Sequence, residues 1–156
     1  MFDTIVWASD GSEYADGALA LVTELAMAHG SAIVALHVVE RFRAGRVTGA
    51  PVLADEEERR SKIEAQVADL RAAGFDARLE LVTSRRHNLA AAIAVAAAAA
   101  DADLIVVASR GRGEAAAFFE GSVARDLTHE ARCPVLVIPP AALSVPDAVT
   151  AAELGA

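Results

Sequence analysis

Aromatic residues make up only 4% of this 156-residue chain. With so few large rings, its apolar fraction of 54% has to come from Ala, Val, Leu and Ile, which suit helices laid closely on a parallel sheet. Cysteine occurs once, at Cys133, so no internal disulfide can form and nothing points to an oxidising compartment. Set between Arg132 and Pro134 at the entrance to an apolar run, Cys133 reads as a small buried hydrophobe rather than a reactive thiol. Lysine also occurs once, at Lys62, far along the chain from any glycine-rich loop, which excludes a Walker A kinase or ATPase. Basic charge is scarce: 14 Lys and Arg face 22 Asp and Glu, for a net charge of -8. Such a surface repels polyanions, so no nucleic-acid partner is expected, although a local cluster of Arg and backbone amides can still hold a small anion. No uninterrupted apolar run reaches about 18 residues, and Met1-Phe2-Asp3 has neither a basic nor an apolar leader character. The expectation is a cytoplasmic protein without a membrane partner.

At this length the chain is expected to be one domain over residues 1–140, followed by a flexible tail over 141–156 that contains Pro146 and no apolar period. Thr4 to Ser9 is an apolar, β-branched run that stops at Asp10-Gly11-Ser12, a strand followed by a turn. Ser12 can cap the next helix, whose Ala15, Ala18, Leu19, Val22, Leu25 and Ala26 share a face before Gly30 ends it. Ala32 to Val39 is a second strand, too continuous to leave a face in water. Glu40 to Leu53, with Gly45, Gly49 and Pro51, reads as a loop and a candidate flap. Asp55 and Glu58 then resemble a capping box for a helix burying Ile63, Val67 and Leu70, with Glu56, Glu57 and Glu58 as its solvated start. Asp76 to Thr83 alternates polar and apolar residues, as an edge strand does. Asn88 to Ala100 is an Ala-rich helix, Asp103 to Ala108 a fourth strand, the segment from Ser122 a helix, and Val135 to Ile138 a fifth strand. Strands alternating with helices assemble into a doubly wound parallel α/β sheet.

In such sheets ligands bind at the carboxyl ends of the strands where the winding reverses, which directs attention to the loops after strands one and four. The first ends in Asp10-Gly11-Ser12. The second carries Arg110, Gly111, Arg112, Gly113, Gly121 and Ser122. Glycines there let the backbone approach an anion, and the amides opening the helix near Ser122 supply donors, the elements of a phosphate cradle. Taken alone, the glycines read equally as the shape of a surface loop, and Asp10 as an ordinary turn residue before a helix. His29, His37, His87 and His129 lie on different elements without metal-ligand spacing, so structural roles are expected for them.

Ala108-Ser-Arg-Gly111, then nine residues, then Gly121-Ser122, with an apolar strand before and Cys133-Pro-Val-Leu-Val-Ile after, resembles the universal stress protein family. The opening Ile5-Val-Trp-Ala-Ser-Asp-Gly-Ser12 and the strand end Leu36-His37-Val38 resemble it as well, as does the order of elements from residue 3 to 139. The resemblance implies a five-stranded parallel sheet in the order 3-2-1-4-5, of the adenine nucleotide alpha hydrolase-like kind. It implies ATP or a related adenine nucleotide as ligand, with Mg2+ as its counter-ion, and a stress-response regulator rather than an enzyme. By that resemblance Asp10 sits beside the nucleotide with Ala8 and Ser9 nearby. Val38 meets adenine through its backbone, and Gly111, Gly121, Ser122 and Val123 hold ribose and phosphates. Apart from the resemblance, Arg110 and Arg112 read either as groups that neutralise phosphates or as solvated charges on an acidic surface. The ATP-binding branch has glycine where this chain has Ala108. If that position requires a positive φ, alanine costs about 1 kcal/mol. Homodimerisation through Val135 to Ile138 is a further implication. Two alternatives stand beside this reading, a nucleotide-free dimeric stress protein and a slow ATP-hydrolysing enzyme. A response-regulator receiver is rejected, because Thr83-Ser84 and Pro139-Pro140 stand where it needs an acceptor Asp and a Lys.

Overall fold

Among the described residues, β-branched and aliphatic runs separated by turn residues become five strands, and segments between them become four helices. The computed structural model describes residues 1–41, 50–85, 88–109 and 122–139. In chain order the elements are β1 (Thr4–Ala8), α1 (Glu13–His29), β2 (Ala32–Arg41), α2 (Ala50–Ala72), β3 (Ala77–Arg85), α3 (Leu89–Ala99), β4 (Leu104–Ala108), α4 (Ser122–Glu130) and β5 (Val135–Ile138). All pairings are parallel, in the order β3-β2-β1-β4-β5. The expected doubly wound sheet and its strand order are therefore present. Among the described residues no helix is long and apolar enough to cross a membrane.

The period-2 alternation of each central strand divides the core into two layers. Ile5, Trp7, Ile33, Ala35, Leu104 and Val106 face α1 and α2, whose Ala15, Ala18, Val22, Ile63, Val67 and Leu70 cover them. Val6, Val34, Leu36, Ile105 and Val107 face α3 and α4, meeting Ile93, Ala94, Ala97, Val123 and Leu127. The small side chains of α3 let its backbone come close to the sheet, the packing that a core poor in aromatics demands. Trp7 is the large exception; fully buried, it donates its indole N–H to the carbonyl of Ala15 at 3.1 Å. Cys133 is half-buried beside the α3–α4 layer, and desolvation, reinforced by the Asp103 carboxylate, pushes its thiol up.

Helix ends follow the local chemistry closely at α1. Ser12 accepts the N–H of Ala15, and Gly30 closes the helix in the left-handed region at φ +71°. At α2 the structure corrects two expectations. Glu40 and Arg41 continue β2, while residues 50–53 already belong to α2, so only residues 42–49 of the expected loop and flap fall outside the described residues. Asp55 consequently lies inside α2 and does not cap it. Proline suits the first turn of a helix, where its missing N–H has no partner to lose, and Pro51 occupies that turn.

The loop between β1 and α1 depends on Gly11, which sits at φ +75° with Arg59 of α2 against it. A Cβ at position 11 would lie 2.9 Å from the Arg59 Cβ, whereas one at Gly30 would meet nothing within 4 Å. Gly30→Ala should cost about 1 kcal/mol, the left-handed penalty alone, and Gly11→Ala more than that because it adds the clash. Equilibrium unfolding in urea orders the two, and equal losses would contradict the contact. On α3, Ala97→Leu should destabilise by about 1–3 kcal/mol through overpacking, while Val95→Ala, at a 70% exposed position, should change stability by less than about 0.5 kcal/mol.

Candidate functional site

The winding reverses between β1 and β4, since chain connections run outward from β1 through β2 to β3 and from β4 to β5. At their carboxyl ends the register brings Ala8 opposite Val107 and Leu36. β1 stops there, but β2 continues through Arg41. The Ser9 N–H donates to the Leu36 carbonyl at 2.9 Å, so Leu36 directs its backbone polar groups towards β1. Backbone direction repeats every second residue along a strand. Val38 therefore points its N–H and C=O the same way, past the end of β1 and into the crevice. The expected backbone role of Val38 has a geometric basis, and the half-buried Val38 side chain meanwhile packs on the α3–α4 layer.

Asp10 enters the crevice on a loop whose shape is set by short-range hydrogen bonds. The Gly11 N–H donates to Ser9 Oγ at 3.2 Å, and the Ser12 N–H donates to Asp10 Oδ1 at 3.0 Å. Longer-range contacts hold the same loop from outside. His37, 2% exposed, directs Nδ1 at the Ser9 carbonyl at 2.8 Å and Nε2 at Glu56 Oε1 at 2.5 Å. Lys62 donates to the Gly11 carbonyl at 3.0 Å and pairs with Asp16, which also accepts from Gln66 at 2.8 Å.

These contacts revise part of the sequence reading. Glu56 is more than the solvated start of a helix, because it meets a buried histidine on β2. Lys62, distant in sequence from the glycine-rich loop, stands against the other loop of the crevice with its ammonium group engaged. Residues 56, 59, 62 and 66 recur at helical spacing, and that stripe was the available signal, but nothing in the sequence named its partners.

On the opposite side of the crevice, Ser122 and Val123 open α4. The first-turn amides of a helix have no partner within it, so their donors are left for an acceptor outside the helix. The Val123 side chain is buried in the α3–α4 layer, which leaves its amide as the group able to meet a ligand. Ala108 ends β4 without a positive φ; among the described non-glycine residues only Asp101 has one. Its methyl packs in the α1–α2 layer, away from α4. Alanine is therefore accommodated without the backbone strain that the glycine comparison raised. Ala8 ends β1 with Ser9 and Asp10 after it, Val38 lies on β2 beyond the end of β1, Ala108 ends β4, and Ser122 and Val123 open α4, while Arg110, Gly111 and Gly121 lie outside the described residues, as does His87. A separate shallow cleft of about 390 Å³ between α1 and α2 is lined by Leu19, Met27, Leu70 and Phe75 with Asp16 and Gln66.

Comparison with known proteins agrees with this architecture. A universal stress protein from Burkholderia pseudomallei is 32% identical, with a TM-score of 0.68 over 88% of this chain and 96% of that one. One from Archaeoglobus fulgidus in complex with dAMP is 24% identical, with a TM-score of 0.59 over 88% and 98%. An Arabidopsis thaliana family protein with AMP bound is 19% identical, with a TM-score of 0.64 over 94% and 97%. No curated protein sequence matches. Residues 1–139 match the Universal stress protein family, and with that fold and that extent of similarity the chain belongs to this family.

Proposed function

We propose that this protein binds ATP or a related adenine nucleotide in the crevice between β1 and β4 and acts as a stress-response regulator. The observation that carries the proposal is convergence. The Val38 backbone, the Asp10 loop and the opening amides of α4 border one crevice at the reversal of the sheet. A purine edge needs a fixed donor and acceptor, which Val38 supplies beyond the end of β1. Phosphates need amide donors and positive charge, which α4 supplies, assisted by the neighbouring Arg110, Gly111 and Gly121 of the sequence. ATP, accompanied by Mg2+, presents the most phosphate charge to that end of the crevice. The AMP and dAMP complexes of fold relatives support the ligand class.

A binding role is favoured over catalysis by what the nearby reactive groups are doing. Lys62 is committed to Gly11 and Asp16, and both ring nitrogens of His37 are engaged, so neither stands ready as a general base for hydrolysis. The strain-free seat of Ala108 also weakens the case for a nucleotide-free protein. The regulator is proposed to work in the cytoplasm as a homodimer. Among the described strands β5 pairs only with β4, which leaves the outer edge of Val135–Ile138 for a second copy.

Protein purified under native conditions and then denatured should release an adenine nucleotide detectable by mass spectrometry. Calorimetry should show ATP binding that Gly121→Asp weakens by about tenfold or more, because the added carboxylate repels phosphate at the mouth of α4. A folded protein that releases no nucleotide and gives no heat with ATP or AMP would overturn the proposal.

A further inference from the structure

His37 is the most deeply placed titratable group beside the crevice, and both of its ring nitrogens face acceptors. A carbonyl oxygen carries no proton, so the Nδ1 contact to Ser9 requires hydrogen on Nδ1. The Nε2 contact to the Glu56 carboxyl also requires a proton between the two atoms. That proton belongs to the imidazolium beside a carboxylate, or to a carboxylic acid beside a neutral ring. In either form the pair holds one proton more than a neutral histidine next to an ionised glutamate. If that proton leaves, the Nε2 lone pair confronts carboxylate lone pairs at hydrogen-bond distance, and Glu56 has to move away.

The pair sits at a junction. His37 precedes Val38 on β2, its Nδ1 holds the carbonyl before Asp10, and Glu56 belongs to α2, one turn before Arg59 and two before Lys62. Other charged groups around the same loop are Asp10 itself, Asp16 on α1, and Arg59 and Lys62 on α2, the last paired to Asp16. On the remaining side β3 places uncharged Leu81 in register with His37. Glu56 is thus the carboxylate that the structure sets directly on the ring.

We propose that His37 and Glu56 are positioning residues of the crevice, joined by one shared proton that fastens α2 to the ends of β1 and β2. Nucleotide binding is consequently proton-linked: the Asp10 loop and the Val38 edge are held in place while the proton is present, and affinity falls when it is lost at higher pH. Linkage is reciprocal, so nucleotide binding in turn favours retention of the proton. This inference rests on the nucleotide reading of the crevice.

The test uses Glu56→Gln. A glutamine amide can donate to the Nε2 of a neutral His37, so this variant keeps a hydrogen bond while removing the shared proton. ATP affinity of the unmodified protein, measured between about pH 6 and about pH 9, should fall roughly tenfold as the pH rises. The Glu56→Gln protein should lose that dependence, since ionisation of the ATP phosphates is common to both proteins and cancels in the comparison. Parallel pH profiles for the two proteins would overturn the proposal. Imidazole 15N resonances of His37 in ligand-free protein give a readout independent of nucleotide. At the low end of the pH series, two ring N–H groups, or one ring N–H beside a protonated Glu56 carboxyl seen in its 13C resonance, support the bridge, and a single ring N–H beside an ionised Glu56 carboxylate overturns it. Failure of both proteins to bind ATP at every pH would instead sink the nucleotide reading and the linkage, leaving the bridge to be judged on its resonances.

Discussion

One hydrogen bond, from His37 Nδ1 to the carbonyl of Ser9, joins the end of β2 to the loop that leaves β1. The geometry of the crevice follows from that junction. β1 ends a few residues earlier than β2, so the chain has to turn away at Ser9 while β2 continues alone beside the gap. Without a buried donor holding the Ser9 carbonyl, that polar group would lie desolvated at the top of the sheet, at a cost of about 1–3 kcal/mol. With it, Asp10 and Val38 are held at fixed relative positions before any ligand arrives. Preorganisation of this kind spares binding the cost of ordering the loop.

α2 reinforces the junction from outside. Glu56 meets the far nitrogen of His37, the Arg59 stem closes over Gly11, and Lys62 holds the Gly11 carbonyl. Three successive turns of one helix therefore address one loop residue, Gly11, and one strand residue, His37. Gly11 is needed at that place twice over, for its left-handed backbone and for the space that Arg59 occupies. The composition suits this arrangement, since the chain's one lysine is committed to a structural contact with Gly11 and Asp16.

Much of this architecture was legible in local sequence. Apolar runs marked β1, β2 and β4 as strands and β2 as buried on both faces, the alternation of Asp76 to Thr83 marked β3 as an edge, and Ser12 and Gly30 marked the two ends of α1. These signals are local, because propensity, capping and alternation act over a few residues. The start of α2 was misread for the same reason: Gly45, Gly49 and Pro51 argue locally for a loop, while α2 already begins at Ala50 and places Pro51 in its first turn, where proline's missing N–H costs nothing. The roles of His37, Glu56 and Lys62 were hidden because their partners lie 19 or more residues away in the chain. For Ala108 the sequence could show a missing glycine but not the backbone angle on which any strain depends; the strand gives it no positive φ and turns its methyl into the α1–α2 layer.

The central claim is that an adenine nucleotide enters between Val38, the Asp10 loop and the amide end of α4. Backbone amide resonances followed during a titration with AMP test it most directly. The account predicts that Ser9, Asp10, Val38 and Val123 shift together and saturate at one common affinity. Shifts confined to Leu19, Met27 and Phe75 in the cleft between α1 and α2, with the strand ends unmoved, would contradict it.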